Sequence, residues 1–324
     1  MSSVSDIEDI LSVSRFQGGQ SNPTYLIDTN LGSLVLRSKP VANKIKSAHA
    51  VDREYRVMSV LGREGVAVPE MLAYCDDLDV IGAEFYLMRF IDGVVHWDPC
   101  LADLNLTDRK GVYYSMADTL AQIHNVDIDQ SGMRDFGKSG DYFQRQISRW
   151  SKQYDAAKDG SSPDMDKLVD WIRENPPLPS GHEAIIHGDY RLDNMIFSKE
   201  DNSLLAVIDW ELSTIGDPLA DISYQCMQWR LDHRFFGGLA HVDRLAQGIP
   251  DEAEYLDRYC QASNISIQGN WEHYVVYNYF RFAAILYGVA RRIVDGTAAN
   301  PRAKEMAALA EPVAVEGWKL AQKI

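Results

Sequence analysis

Short β-rich runs open the chain and helical periods fill its second half. Residues 5–13, with Ile7, Ile10 and Leu11 on one side, predict a short amphipathic helix. Two β-rich runs follow, Leu26-Ile-Asp-Thr29 and Ser33-Leu-Val-Leu-Arg37, and the turn Asn30-Leu-Gly32 between them predicts a hairpin. Residues 47–61 set Val51, Tyr55, Met58 and Leu61 at three- and four-residue steps, one helical face, with Glu54 on a different strip. Gly65-Val-Ala-Val-Pro69 ends that helix, Leu72-Ala-Tyr-Cys75 reads as a strand, and Phe85-Tyr-Leu-Met-Arg-Phe-Ile-Asp-Gly93 reads as another ending in an Asp-Gly turn. Strand, strand, helix, strand, strand over residues 16–91 describes a small, mostly antiparallel sheet with one helix.

From Asp108 onward, helical patterns cover 108–124, 141–157, 164–174, 218–232, 251–263, 271–294 and 302–321. Pro163, Pro176-Pro177 and Pro301 punctuate them, and Pro312 inside the last should end or kink it. The fold class is therefore α+β in two lobes. Residues 1–91 form a small sheet-rich lobe and 92–324 a large, mainly helical one.

A length of 324 residues suits one two-lobed unit or two domains, and 46% hydrophobic residues suffice for a sizeable core. The net charge of −15 argues against nucleic acid as a partner, because such binding rests on Lys and Arg neutralising phosphates. Cys75, Cys100, Cys226 and Cys260 show no C-x-x-C spacing and read as plain thiols. The opening residues carry acids where a signal peptide has a basic region, and no run reaches the roughly 18 apolar residues of a membrane span. A cytoplasmic location with no membrane partner is expected.

One stretch carries the chemistry. In HGDYRLDN, Asp189 and Asn194 stand five apart, and Asp209 closes the apolar run Leu204-Leu-Ala-Val-Ile-Asp209. Two carboxylates and an amide, each where a strand gives way to a loop, can orient a hydroxyl and hold a divalent metal against phosphates. Upstream, Gly18-Gly19 could turn backbone N–H groups toward an anion or be a plain turn.

GGQSNPTYLI, LVLRSKP, AHAVDREYRVM, HGDYRLDNMIF, VIDWELSTIGDPLADISY and YFRFAAILYGVARRI together resemble the aminoglycoside phosphotransferase and choline kinase group, which has the protein-kinase-like fold. Within it, the chain is most similar to the kinase-like domains associated with acyl-CoA dehydrogenases. The resemblance implies an ATP- and Mg2+-dependent transfer of the γ-phosphate to a hydroxyl of a small metabolite. Such transfer asks the protein mainly for positioning and charge neutralisation.

Carried over residue by residue, HGD-x-x-x-x-N matches the kinase catalytic loop and makes Asp189 the base or hydroxyl-orienting group. Asn194 and Asp209 become the Mg2+ ligands, with Asp209-Trp210-Glu211 in place of D-F-G. Arg191 stands where protein kinases have a phosphate-touching lysine; it either neutralises the γ-phosphate or pairs with an acid such as Asp193. The resemblance further implies that His187 braces the loop, and that Asp217 and Asp221, one turn apart at a helix start, act as caps that tie the metal loop to the large lobe.

On the nucleotide side Arg37 replaces the usual lysine and can fork across two phosphate oxygens. Glu54 is its implied partner, the alternative being a surface pair with Arg53 or Arg56. Ser21, Asn22 and Thr24 would cover the phosphates. Met88 would line the adenine pocket, or sit in the core, and Arg89 and Ile91 would offer main-chain groups to the base.

The acceptor should lie against the late helices, where Arg281, Trp229, His233 and Tyr277 are the candidates. Aromatics would suit a quaternary amine, while Arg281 in an apolar run requires a carboxylate from the protein or from the substrate. A hydroxy acid or hydroxyacyl compound is the acceptor the resemblance favours. An aminoglycoside or choline-type kinase and a catalytically silent nucleotide-binding protein are the alternatives, and a homodimer is compatible with all of them.

Overall fold

A computed structural model describes residues 7–16, 22–40, 50–160, 162–233, 238–298 and 301–324. The expected N-terminal helix is instead a strand, β1 (Ile10–Arg15), exposed at every position. Nine residues are too few to sustain an isolated helix. An antiparallel ladder with β2 (Thr24–Thr29) satisfies the backbone instead, and Ser12 Oγ donates to Asp28 Oδ2 at 2.6 Å. Strand β2 pairs with β3 (Gly32–Ser38) as the expected hairpin, Thr24 opposite Arg37 and Thr29 opposite Gly32.

Helix α1 (Val51–Arg63) follows, then β4 (Met71–Cys75), the single turn α2 (Leu78–Ile81) and β5 (Phe85–Arg89). The strands complete one antiparallel sheet in the order β1-β2-β3-β5-β4. Burial on α1 is wider than one stripe, taking in Val51, Glu54, Val57, Met58, Val60 and Leu61. The helix packs on β4 and β5 and also against the 3-10 turn Trp210–Leu212 of the large lobe, so the strip that carries Glu54 is buried as well.

The large lobe runs α3 (Leu106–His124), α4 (Tyr142–Ala157), α5 (Pro163–Glu174), β6 (Ala184–Ile186), β7 (Met195–Phe197), β8 (Leu204–Val207), β9 (Thr214–Gly216), α6 (Leu219–Met227), α7 (Glu252–Ser263), α8 (Trp271–Val294), α9 (Ala303–Ala307) and α10 (Ala310–Ala321). Helix α6 stops short of residue 232 because Trp229 N and Arg230 N turn to carbonyls three residues back. Pro312 neither ends nor kinks a helix. It is the third residue of α10, in a first turn whose N–H groups have no acceptor within the helix, and the break falls before it, at Ala308-Leu309. Helix α8 is apolar almost all round and is packed by α4, α5, α6 and α10. Among the described residues no helix is long and apolar enough to cross a membrane.

Where the sheet gives way to the large lobe, Val94 and Phe197 exchange two backbone hydrogen bonds of 2.8 Å. A Cβ on Gly93 would stand 2.4 Å from Ile196 Cγ2 and 2.6 Å from the Phe197 carbonyl oxygen. Gly93→Ala is therefore expected to lower unfolding stability by about 1–3 kcal/mol in urea denaturation; an unchanged midpoint contradicts this packing of the junction.

Candidate active site

Two small antiparallel pairs hold the site. Strand β6 pairs with β9 and β7 with β8, so residues 187–194 leave β6 as a loop and return into β7. Ile208 N donates to the Asn194 carbonyl at 2.9 Å, which sets the end of that loop beside Asp209. Asp209 is left-handed, with φ 66° and ψ 57°. That conformation is uncommon outside glycine and best tolerated by Asn and Asp.

The loop is fixed from below. His187 and Gly188 donate their N–H groups to Asp221 at 2.6 and 2.9 Å, and Asp221 is 1% exposed. Its carboxyl lies below the ordinary value: burial opposes the charge, but His124, His187 and the Gly188 N–H outweigh it. His187 Nδ1 accepts from Asp189 N at 3.1 Å, so its proton resides on Nε2, 2.9 Å from the Ile208 carbonyl. This is the bracing expected of His187. Gly188 has φ 84°, and a Cβ there would stand 2.9 Å from the Leu212 carbonyl oxygen, so glycine is needed for both reasons. Asp217 caps α6 through Leu219 N at 2.9 Å and accepts Ser180 N at 2.6 Å.

Asp189 reaches the cleft with 28% of its side chain exposed. Tyr224 donates its hydroxyl to Oδ1 at 2.8 Å, and Asn194 Nδ2 donates to Oδ2 at 3.1 Å and to the Asp189 carbonyl at 2.9 Å. Burial pushes the carboxyl up, yet Arg191, the Tyr224 hydroxyl, His187 and Arg281 hold it below the ordinary carboxylate value. Arg191 takes the acid-paired alternative, its Nη2 bound to Asp193 and its Nε 3.7 Å from Asp189 Oδ1. With its amide nitrogen spent on Asp189, Asn194 has its carbonyl oxygen to offer a cation beside the Asp209 carboxylate. Both are the hard oxygen donors that Mg2+ takes.

Across the cleft, Arg37 Nε lies 2.9 Å from Glu54 Oε2, and Arg37 Nη2 lies 3.1 Å from Asp209 Oδ1 and 3.9 Å from Glu211. Glu54 is 1% exposed and also accepts Asn22 Nδ2 at 2.9 Å and the Tyr86 hydroxyl at 3.0 Å. Burial works against the Arg37 charge, but Glu54, Tyr86, Asp209 and Glu211 raise its pKa. Burial holds the Glu54 carboxyl above its ordinary value, and Arg37 offsets only part of this. The surface alternatives for Glu54 are not taken, since Arg53 binds the Phe136 and Ser213 carbonyls and Arg56 binds Asp135.

Other expectations land elsewhere. Ser21 and the Gly18-Gly19 pair lie outside the described residues. Asn22 is buried with its amide on Glu54, and the Thr24 hydroxyl donates to the Asn22 carbonyl at 3.1 Å, so both brace the Glu54 pocket instead of turning to a phosphate. Met88 is half-buried on β5 against the core. Arg89 N is spent on the Glu70 carbonyl at 2.9 Å and Phe90 N on Ser33 at 3.2 Å; Ile91 N has no hydrogen bond among the described residues. Trp229 and Tyr277 are core residues: Trp229 donates to the Pro250 carbonyl at 2.8 Å between Tyr113 and Tyr255, and Tyr277 meets Phe143 ring-to-edge at 5.2 Å. His233 is exposed. Arg281 is buried under the loop, its Nη2 bound to the Gly188 carbonyl, and among the described residues no carboxylate pairs with it.

Tyr86 and Tyr224 belong to the site without having been anticipated. Strand pairing could have found the first, directly opposite Arg37. Helical spacing could have found the second, three residues after Asp221.

Known proteins share this architecture. Acyl-CoA dehydrogenase family member 10 of Mus musculus is 42% identical over 311 residues, 95% of this chain but 29% of the relative's length. A crystal structure from Ralstonia eutropha JMP134, provisionally named an aminoglycoside phosphotransferase, superposes with a TM-score of 0.89 at 42% identity, covering 98% of this chain and 95% of that one. A thermostable mutant of aminoglycoside phosphotransferase APH(4)-Ia, in ternary complex with AMP-PNP and hygromycin B, has a TM-score of 0.65 at 16% identity over 98% of this chain and 96% of its own, and so shares the kinase-like fold alone. The family model for the phosphotransferase enzyme family matches residues 12–262, and the chain belongs to that family.

Proposed function

We propose that the chain transfers the γ-phosphoryl group of ATP to a hydroxyl of a small metabolite. The observation that carries this reading is that Arg37 of the small lobe meets Asp209 of the large one, whose neighbour Ile208 is bonded to Asn194, itself hydrogen-bonded to Asp189. A fold relative that holds a nucleotide analogue and a small molecule together supports it further.

The residues divide the work. Asp189 accepts the proton of the acceptor hydroxyl as that oxygen bonds the γ-phosphorus, and its lowered pKa keeps it ionised for the task. Asn194 and Asp209 hold the cation, Asn194 adding no negative charge beside the phosphates. Bound Mg2+ with its nucleotide supplies the transferable group and neutralises the charge leaving with ADP. Arg37 releases Asp209 and grips phosphate oxygens instead, its Nε still anchored on Glu54. Arg191 adds positive charge near the transferred group. Ile91 offers its N–H to the base, with Met88 behind it.

The acceptor is proposed to be a small hydroxylated acid or acyl compound. Arg281 is enclosed beneath the loop, so its charge acts from the floor of the site instead of gripping the acceptor, and of the four acceptor candidates His233 is the exposed one.

Coupled ADP-release assays with Mg·ATP and hygromycin B, choline or short hydroxy acids test the reading. Turnover is expected with at least one acceptor, and Asp189→Asn is expected to lower kcat by about 10²–10⁴-fold with little change in the KM for ATP. Nucleotide binding without turnover on any acceptor would favour a silent nucleotide-binding protein. Arg37→Ala should raise the KM for ATP at least about tenfold, as expected for loss of a charge-assisted contact; unchanged nucleotide kinetics would sink the phosphate-clamp role.

A further inference from the structure

The orientation of the Asp189 carboxylate in the cleft is set from two elements. Asn194 accounts for Oδ2. The other oxygen is held by a residue of a different element: Tyr224 on α6, 6% exposed, donates its hydroxyl to Oδ1 at 2.8 Å. The ring of Tyr224 is braced in turn, since the Arg281 guanidinium of α8 lies 5.1 Å from its centroid and 5.7 Å from that of Trp150. Arg281 also donates to the carbonyl of Gly188, the residue before Asp189. Two helices thus grip two consecutive residues of one loop.

An ionised carboxylate offers about four in-plane acceptor positions. Tyr224 and Asn194 occupy one on each oxygen, which fixes the carboxylate plane and limits the directions from which a hydroxyl can approach. The Arg281 charge, buried with no carboxylate in ion-pair contact among the described residues, is compensated by a carbonyl, two ring faces and the more distant Asp189. An arginine whose only task was to fill the core could be replaced by an apolar side chain without this arrangement.

Resting on the phosphotransferase reading, we infer that Tyr224 is a positioning residue that sets the orientation of the Asp189 carboxylate, with Arg281 as its brace. Neither touches the acceptor or the nucleotide. Loss of the Tyr224 hydroxyl therefore reduces turnover without weakening nucleotide binding.

Tyr224→Phe removes only the hydroxyl and keeps the ring beneath Arg281. With Mg·ATP, and with water, hygromycin B, choline and short hydroxy acids as acceptors, it is expected to lower kcat about 10-fold or more, as for loss of a hydrogen bond to a charged group. The KM for ATP should stay within about twofold and the melting temperature should hold, a split that a merely structural tyrosine would not give. Arg281→Lys leaves Tyr224 itself intact and serves as the second variant, with the same expectation of lower kcat at unchanged KM for ATP. A folded Tyr224→Phe chain that turns over like wild type overturns the inference alone, as does a loss confined to nucleotide KM or to stability. If Tyr224→Phe fails to fold, an unchanged kcat in Arg281→Lys overturns it. A wild-type chain that releases no ADP above background with any acceptor overturns the phosphotransferase reading, and the inference with it.

Discussion

Glu54 is a carboxylate taken out of water, and the small-lobe side of the cleft follows from what compensates it. A buried charge persists only when paired and hydrogen-bonded. Arg37, Asn22 and Tyr86 supply those partners from β3, from the residue entering β2 and from β5, so three parts of the sheet are drawn onto one helical side chain. Arg37 has donors left over, and one reaches Asp209 in the large lobe. The same guanidinium that neutralises the small lobe's interior also spans the cleft. An arginine suits this place better than a lysine, because its planar fork can face two carboxylates at once.

Asp221 plays the corresponding part in the large lobe. Its oxygens accept the N–H groups of His187 and Gly188, so a buried carboxylate on α6 sets the start of the loop that carries Asp189. One turn of that helix later, Tyr224 reaches Asp189 itself. Backbone and side chain of the reactive loop are therefore referred to one rigid element, and the Arg281 contact refers them to α8 as well. Side chains placed in this way need little reorganisation when charge develops, which is how positioning lowers a barrier.

Much of this was legible from residue order, and the reasons differ by residue. Asp189, Asn194 and Asp209 could be read because a loop between two short strands keeps in space the order it has in sequence. The hairpin and helix α8 could be read because their periods are long and unbroken. Glu54 could be matched to Arg37 only through the resemblance, since periodicity marks one buried face and α1 has two neighbours. The same limit explains Trp229 and Tyr277: an aromatic helix face is apolar whether it turns to a cleft or to a core, and here it turns to the core. Segment 10–15 went to a strand because pairing with β2 is non-local and leaves no mark in nine residues. Tyr86 and Tyr224 escaped notice, and Asn22 was assigned to the phosphates, because each serves a carboxylate more than 30 positions away.

The assignment of Asn194 and Asp209 to the metal, and of Arg37 to the phosphates, has one most direct measurement: a crystal structure of the chain with Mg2+ and AMP-PNP. The account predicts the cation on Asn194 Oδ1 and the Asp209 carboxylate, with Arg37 Nη2 moved from Asp209 to a phosphate oxygen while its Nε stays on Glu54. Nucleotide bound with Arg37 still on Asp209 and no cation on Asn194 or Asp209 would contradict it.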